Sequence, residues 1–324
     1  MDGKMIAMTA ALPALTGFVL SVLLTRQLIP VLHRLKFGQY EREEGMASHQ
    51  KKAGTPTMGG IAFLIALVIT CLIFLKGNGE LLPVLFLTVG FGVIGFLDDW
   101  LKIAKKENEG LKAWQKFLLQ FVVTGAFGAW LLYGAKIGTS VILPFTDGAT
   151  WTMSPVLFWF FLFFCVIGTV NGTNFTDGLD GLASSVTSAV CLVILVWGVL
   201  YSAGIGVMAS AFLGVLLGFL AFNSYPAKVF MGDTGSLALG GALAAAAIIS
   251  DMEILLPIIG IIYVAEALSV IIQVYVFQTQ NGRRFFRMAP IHHHFELGGW
   301  KETKVVAVFC GVTLAMCALT LILI

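Results

Sequence analysis

Residues 81–99 read LLPVLFLTVGFGVIGFLDD, a mostly apolar run that ends in two adjacent aspartates. A helix formed by such a run is long enough to cross the hydrocarbon core of a bilayer. Similar runs recur throughout the 324-residue chain, which is 58% hydrophobic and only 12% charged. Soluble domains carry roughly 25% charged residues, and a transmembrane β-barrel would show short alternating segments instead. The sequence therefore predicts an all-α, polytopic integral membrane protein.

Ten apolar segments are predicted to be transmembrane helices. They cover residues 10–32, 58–75, 81–97, 116–133, 155–172, 182–201, 206–222, 235–250, 254–278 and 304–324. We interpret the first as a span and not as a cleaved signal peptide, because it is long and no small-residue cleavage site precedes the next polar loop. No internal repeat is recognisable, and residues 1–324 are treated as a single transmembrane domain.

The basic residues predict how these spans are oriented, because connections rich in Lys and Arg stay on the cytoplasmic side. Sixteen of the 20 basic residues fall in the odd-numbered connections and their flanks. These are Arg34, Lys36, Arg42, Lys51, Lys52, Lys102, Lys105, Lys106, Lys112, Lys116, Lys228, Arg283, Arg284, Arg287, Lys301 and Lys304. Both termini are therefore predicted to lie on the outer side. The net charge of only +2 gives no support for nucleic-acid binding.

Two groups of residues are given no chemical role. All five cysteines fall inside apolar spans without metal-ligand spacing, so we interpret them as small buried hydrophobic residues. They are Cys71, Cys165, Cys191, Cys310 and Cys317. Four acids on the predicted outer side do not cluster and are interpreted as solvated loop charges. They are Glu80, Asp147, Asp251 and Glu253.

Dense polar motifs lie at the predicted cytoplasmic ends of several spans, beginning with the pair Asp98 and Asp99. Two adjacent negative charges at a membrane boundary repel each other, which favours a bound cation or a shared proton. The alternative is an ordinary helix end that meets water, followed by the basic residues Lys102, Lys105 and Lys106.

The second motif is the segment NGTNFTDGLDG, residues 171–181. Amide or carboxylate side chains recur at every third position in it, and its glycines allow a close approach of the backbone to a ligand. Amides and carboxylates together can hold Mg²⁺ or hydrogen-bond a base and a ribose. The alternative is a polar loop with Asn and Gly turns.

The third motif is NSYPAKVFMGDTGS, residues 223–236, which leads into the eighth predicted span. Backbone N–H groups at the start of a helix attract an anion, so this segment suits a phosphate. Asp233 could then bind a Mg²⁺ ion that also contacts phosphate oxygens. The alternative is a helix N-cap preceded by turn glycines.

The fourth motif, RRFFRMAPIHHHFE at residues 283–296, combines three arginines with His292, His293 and His294. Three consecutive histidines cannot all face one ion from a regular helix, so anion binding is more plausible than zinc binding. The alternative is a basic loop attracted to anionic lipid. Gln273, a polar residue in an apolar run, is a candidate for either the site or an interhelical hydrogen bond.

The fifth motif is HQKKAGTPTMGG, residues 49–60, at the start of the second predicted span. Its two lysines and the Gly- and Thr-rich start of the helix again suit a phosphate. The alternative is that the lysines only keep this end of the span on the cytoplasmic side. The five motifs together supply carboxylates for a divalent metal, cations for phosphates and amides for a nucleotide. The simplest chemistry that uses all of these at a membrane face is phosphoryl transfer from a soluble cytoplasmic donor to a lipid acceptor.

Five segments carry a resemblance to a known family over essentially the whole chain. They are KKAGTPTMGG (51–60), FLDD (96–99), NGTNFTDGLDG (171–181), FMGDTGS (230–236) and MAPIHHHFE (288–296). In these segments the chain resembles the phospho-N-acetylmuramoyl-pentapeptide transferase family, of the polyprenyl-phosphate N-acetylhexosamine-1-phosphate transferase superfamily.

The resemblance implies an enzyme of the bacterial plasma membrane with ten transmembrane helices, a cytoplasmic-face site and a homodimeric assembly. It implies transfer of phospho-MurNAc-pentapeptide from UDP-MurNAc-pentapeptide to undecaprenyl phosphate, giving lipid I and UMP. This Mg²⁺-dependent reaction is the first membrane step of peptidoglycan synthesis, and hence of cell wall biogenesis, cell shape and cell division. Nucleoside antibiotics that mimic the donor are expected to bind the same pocket. The alternatives are a transferase for another UDP-N-acetylhexosamine and an acid-lined transporter.

The resemblance also implies roles for individual residues. Catalytic roles are expected for Asp98, Asp99, Asp233 and His293. Substrate contacts are expected for Lys51, Thr57, Asn174, Asp177, Asp180, Asn223, Gly232, Ser236, Gln273, Ala289, His292 and His294. Asp98 is expected to be the base for the lipid phosphate, and Asp233 to bind the metal together with Asp98 and Asp99.

Overall fold

The computed structural model of the protein describes residues 7–35, 54–105, 107, 109–135, 139–144, 146 and 148–323. The α-helices in this part of the chain are α1 (Leu12–Arg34), α2 (Gly60–Ile73), α3 (Leu81–Lys105), α4 (Ala113–Ala129), α5 (Pro155–Thr176), α6 (Leu182–Tyr201), α7 (Ala203–Asn223), α8 (Gly232–Ile249), α9 (Leu256–Ile259), α10 (Ile261–Thr279), α11 (Ile291–Glu296) and α12 (Glu302–Leu323). A π-helical segment, Ala7–Ala11, precedes α1, and another, Trp130–Ala135, continues α4. Strands β1 (Ser140–Ile142) and β2 (Thr150–Thr152) form an antiparallel hairpin between α4 and α5.

Nine helical stretches in the described residues are long and apolar enough to cross a membrane, which confirms the prediction of an all-α, polytopic membrane protein. The remaining predicted span, residues 58–75, contains the 14-residue helix α2. A helix of 14 residues is only about 21 Å long, whereas the hydrocarbon core is roughly 30 Å thick. The five cysteines are all free thiols and four of them are buried, as expected.

Helix α2 and the turn after it nevertheless contact both ends of a neighbouring span. At its start, Gly59 packs against Phe219 near the end of α7, and the rings of Phe63 and Phe219 are 6.0 Å apart. After α2 the chain turns, and Glu80 accepts a hydrogen bond from Ser202, the residue before α7. Because the contacts reach both ends of α7, helix α2 and the turn after it together run antiparallel to that span.

Two predicted spans differ in their course from the helices observed. Residues 81–97 were predicted to end at the aspartate pair, but α3 continues through Lys102. The ammonium of Lys102 lies 2.6 Å from the carboxylate of Asp98, and such an i,i+4 ion pair stabilises a helix. The predicted span 254–278 is divided at Gly260 into the short helix α9 and the longer α10.

Helices α3 and α8 approach each other closely at a glycine. A Cβ atom at Gly95 would lie 2.6 Å from the backbone nitrogen of Thr234, and closer still to the carbonyl group of Asp233. No real side-chain carbon makes such a contact, so only glycine allows this packing. Gly95 precedes Asp98 by about one turn, and the close approach therefore brings the carboxylates of the two helices together.

At the opposite end of the bundle, the turn after α8 is fixed to the hairpin. Asp251 accepts hydrogen bonds from the hydroxyl of Ser140, at 3.1 Å, and from the backbone N–H of Ile142, at 2.7 Å. Glu253 is only 5% exposed, and its Oε2 has no hydrogen-bond partner in the described residues. The prediction that Glu253 is a solvated loop charge is therefore wrong, while Asp147 lies outside the residues described.

Burial raises the pKa of Glu253 to about 8, whereas the unfolded value is about 4.3. The folded protein therefore holds this proton over a pH range in which the unfolded chain releases it. Stability should be highest below the unfolded value and should fall as the pH rises through the folded value. The unfolding temperature of detergent-purified protein should therefore be lower at about pH 9 than at about pH 5. In Glu253→Gln we expect this decrease to be smaller by roughly 5 °C.

The exposed Glu109→Gln is the matched control, and it should keep the pH dependence of the unmodified protein. If Glu253→Gln shows the same decrease as that control, the stated effect of burial on Glu253 is wrong.

Candidate active site

Three carboxylates from two helices form a cluster at one end of the bundle. Asp98 and Asp99 lie in the last turns of α3, and Asp233 lies in the first turn of α8. Oxygen atoms of all three lie within 4.8 Å of one another. Asp98 and Asp99 are buried, whereas Asp233 is partly accessible. We call these three residues the carboxylate cluster.

Asp99 holds the start of α8. Its Oδ1 accepts a hydrogen bond from the backbone N–H of Asp233, at 3.1 Å. Its Oδ2 accepts two more, from the N–H and the hydroxyl of Thr234, at 2.9 and 2.8 Å. A carboxylate at a helix N-terminus pairs with free N–H groups and with the positive end of the helix dipole. Asp99 therefore orients Asp233.

Two lysines from different helices neutralise much of this negative charge. The ammonium of Lys102 lies 2.6 Å from Asp98 Oδ2 and 2.8 Å from Asp233 Oδ2. The ammonium of Lys116, from α4, lies 2.9 Å from the same oxygen of Asp233. From the sequence alone, both lysines are interpreted only as topological signals. The spacing of three and four residues from the aspartates to Lys102 was a signal that could have identified it.

Side chains of the segment 171–181 complete the surroundings of Asp233. The amide nitrogen of Asn174 donates to Asp233 Oδ1, at 2.7 Å, and lies 2.8 Å from the hydroxyl oxygen of Ser236. One turn earlier, Asn171 donates a 2.9 Å hydrogen bond to Gln120 of α4. This amide pair links α5, which carries Asn174, to α4, which carries Lys116.

Residues 177–181, which we call loop 177–181, connect α5 to α6 beside the carboxylate cluster. Burial, followed by the negative charges of Asp233, Asp99 and Asp180, raises the pKa of Asp177 well above its usual range. A hydrogen bond from the N–H of Gly232 opposes this shift. Asp177 thus faces the same space as the cluster.

Asp180 and Asn223 fix the backbone around this loop. Asp180 Oδ2 accepts a hydrogen bond from the N–H of Ala227, at 2.9 Å. Asn223 accepts one from Ser184, at 3.1 Å, and donates one to the carbonyl of Val229, at 3.0 Å. The connection between α7 and α8 is therefore attached to loop 177–181 and to α6.

Thr57 and Gly232 lie close to Asp99 of the cluster. A Cβ at Gly232, whose φ is +74°, would lie 2.7 Å from Asp99 Oδ2 and 3.0 Å from the hydroxyl of Thr57. The N–H of Gly59 also donates to the carbonyl of Phe230, at 2.8 Å. The segment before α2 is thereby paired with the segment before α8. The lysine expected to contact substrate here, Lys51, lies outside the residues described.

The histidine motif forms α11 and the turn before it. Buried His292 contacts Glu266 of α10, with Nδ1 and Oε1 3.0 Å apart. His293 Nδ1 lies 3.0 Å from Glu296 Oε2, and His294 accepts a 3.1 Å hydrogen bond from the N–H of Arg287. Glu266 was missed in the sequence analysis, although a lone acid inside an apolar span was a signal.

Gln273 and Ala289 belong to the same region as the histidine motif. Gln273 Oε1 accepts hydrogen bonds from the N–H groups of Phe285 and Phe286, at 3.1 and 2.9 Å. Ala289 is half-buried in the turn that leads into α11. The motif joins the rest of the site through His292, which contacts Gly178 of loop 177–181.

The carboxylate cluster has the chemistry of a site for a hard divalent cation. Mg²⁺ prefers oxygen ligands and binds through one or two carboxylates together with substrate phosphates. Asp98 and Asp233 fit this role, because Lys102 already places a positive group 2.6 and 2.8 Å from their oxygens. Asp99 has less freedom, since Thr234 and Asp233 use both of its oxygens.

Known proteins are similar to this chain over most of its length. Residues 81–251 match the family model described as glycosyl transferase family 4, and residues 52–64 match phospho-N-acetylmuramoyl-pentapeptide-transferase signature 1. A phospho-N-acetylmuramoyl-pentapeptide-transferase of Clostridium kluyveri is 48% identical over 309 residues, which cover 94% of this chain and 95% of the relative. The enzyme of that name from Clostridium perfringens is 49% identical over 93% of this chain and 94% of its own. The enzyme of that name from Desulforamulus reducens is 49% identical over 90% of this chain and 89% of its own.

Proposed function

The chain belongs to glycosyl transferase family 4 and, within it, to the phospho-N-acetylmuramoyl-pentapeptide transferases, and from this premise we propose its reaction. It transfers phospho-MurNAc-pentapeptide from UDP-MurNAc-pentapeptide to undecaprenyl phosphate, producing lipid I and UMP in the first membrane step of peptidoglycan synthesis. The observation that carries the proposal is the carboxylate cluster with two lysines and an asparagine around Asp233.

The proposed chemical step is direct attack by the lipid phosphate. An oxygen of undecaprenyl phosphate forms a bond to the sugar-linked phosphorus of the donor, and the bond from that phosphorus to UMP breaks. Asp98 accepts the proton of the lipid phosphate through its Oδ2, which lies 2.6 Å from the ammonium of Lys102. The acceptor is already an anion, so a covalent aspartyl-phosphate step is unnecessary.

Bound Mg²⁺ would supply positive charge to the phosphate oxygens of the donor, with Asp233 and Asp98 as its ligands. Lys102 and Lys116 can turn from the carboxylates toward the phosphates and offset the charge that develops on the leaving UMP. Asp99 keeps Asp233 oriented throughout.

We assign the remaining residues to donor binding. Asn174, Asp177 and Asp180 contact the uridine or the sugar, with Asn223 nearby, and Lys51, His292 and His293 serve the phosphates. Thr57, Gly232, Ser236, Gln273, Ala289 and His294 shape the same pocket. Nucleoside antibiotics that mimic the donor bind the same pocket in this proposal. The protein forms a homodimer in the bacterial plasma membrane, with both termini outside and the site on the cytoplasmic face.

One assay tests this function. Purified protein with Mg²⁺ and undecaprenyl phosphate should release UMP from UDP-MurNAc-pentapeptide at least about 100-fold faster than from UDP-GlcNAc. The reverse preference would indicate a transferase for another UDP-sugar. Failure to release UMP from either donor, together with solute uptake into liposomes that lack the lipid acceptor, would instead support a transporter.

A further inference from the structure

A glutamate to which the proposed reaction assigns no role forms a buried pair with His292. His292 on α11 and Glu266 on α10 are both 0% exposed, and the atoms Nδ1 and Oε1 are 3.0 Å apart. His292 Nε2 and Glu266 Oε2 have no hydrogen-bond partner in the part of the chain that is described. Burying such a pair is costly. A carboxylate on one ring nitrogen fixes the orientation of an imidazole.

The fixed imidazole ring faces the backbone of loop 177–181. A Cβ at Gly178 would lie 2.5 Å from His292 Cε1, and closer still to Nε2. The ring therefore fills the space that a side chain at position 178 would need. His292 contacts the middle of the loop through packing, with no side chain between them.

The end of the loop is held by polar contacts on other elements. Asp180 Oδ2 accepts from the N–H of Ala227, at 2.9 Å, and the N–H of Asp180 donates to Glu302 Oε1 at the start of α12, at 2.6 Å. Asp177, at the start of the loop, faces the carboxylate cluster. His292 packs against Gly178, which lies between Asp177 and Asp180 in the loop.

We propose that Glu266 is a positioning residue for the transfer reaction, acting through His292 on the backbone of loop 177–181. This inference rests on the proposed function, in which that loop binds the nucleotide-sugar donor. Loss of the acceptor for His292 Nδ1 lets the ring rotate, so that Gly178 and the carboxylates beside it lose their fixed position.

Two substitutions of similar length separate orientation from packing. Glu266→Gln keeps an oxygen that can accept from His292 Nδ1, whereas Glu266→Met fills the space without an acceptor. We expect Met to raise the KM for UDP-MurNAc-pentapeptide about 10-fold, and Gln to stay within about 3-fold of the unmodified protein. The KM for undecaprenyl phosphate should change little in either variant. Equal donor KM values in the two variants would overturn the proposal.

A second measurement tests whether the effect passes through His292. Gly178→Ala should also raise the donor KM, because its Cβ displaces the ring. Its effect should be clearly smaller in the Glu266→Met background, since both changes act on the same contact. If the effects of Gly178→Ala and Glu266→Met on the donor KM are additive, or if the KM values for the donor and for undecaprenyl phosphate rise equally, the substitutions damage the protein generally and the proposal fails.

Tyr263→Phe on the same helix is the control, because it removes a buried 2.8 Å hydrogen bond to Thr187 away from the loop. It should leave the donor KM unchanged. A purified protein that releases no UMP before any substitution would refute the proposed function, whereas an active protein with unaltered donor KM in Glu266→Met would refute only the role of Glu266.

Discussion

Replacing Asp98 by asparagine is expected to reduce UMP release by about 10³-fold. The amide cannot take the proton of the lipid phosphate, and it gives up the negative charge that faces Lys102 at 2.6 Å. The fold should survive, because the amide oxygen can still accept the 2.9 Å hydrogen bond from the N–H of Leu111. Binding of UDP-MurNAc-pentapeptide, measured by calorimetry, should change by less than about 3-fold, since the residues assigned to the uridine and the sugar are unchanged and an amide oxygen can still bind Mg²⁺.

Glu107→Gln provides the control for this charge change, because Glu107 is exposed just beyond the end of α3. It should keep full activity. Turnover of Asp98→Asn within about 10-fold of the unmodified protein would refute the role of Asp98 as base. A phosphorylated aspartate trapped after addition of donor alone would refute direct attack.

Substituting alanine for Gly95 is expected to lower kcat about 100-fold without touching a catalytic group. The added Cβ would lie 2.6 Å from the nitrogen of Thr234, so α3 and the start of α8 must separate. Separation moves Asp98 and Asp99 away from Asp233, and it lengthens the hydrogen bonds by which Asp99 holds α8. The measurement is kcat for UMP release at saturating substrates, with the unfolding temperature recorded alongside.

Gly168→Ala is the matched control in another transmembrane helix, since the added Cβ would have no atom within 4 Å in the described residues apart from its chain neighbours and its own helix backbone. It should keep its activity and should be equally or more stable, because alanine favours a helix over glycine by about 1 kcal/mol. If Gly95→Ala is as active as Gly168→Ala, the close contact between α3 and α8 does not position the site.

The spans and the general place of the polar motifs could be predicted from the sequence, because both follow from local hydropathy. A run such as 182–201 matches α6 residue for residue. The length of α2 could not be predicted, since its limits are set by the turns that attach it to α7 and to Phe230. Hydropathy also did not reveal that Glu253 is buried, because burial depends on tertiary packing.

Within the candidate site, the acids and amides were found from their spacing, whereas their partners were not. Lys102 and Lys116 lie in basic segments in which most lysines serve only as topological signals. Their contacts with Asp233 join residues 131 and 117 positions apart. Glu266 illustrates the same limit, since its role depends on His292, 26 positions further along the chain.

The ammonium of Lys102 between Asp98 and Asp233 has a consequence for how the protein is assembled. Because this ammonium is part of the chain, it is present from synthesis onward, so the charges of two of the three acids can be compensated while the bundle forms. Insertion into the bilayer then does not depend on the supply of magnesium, and the loading of the metal becomes a later exchange in which one cation replaces another.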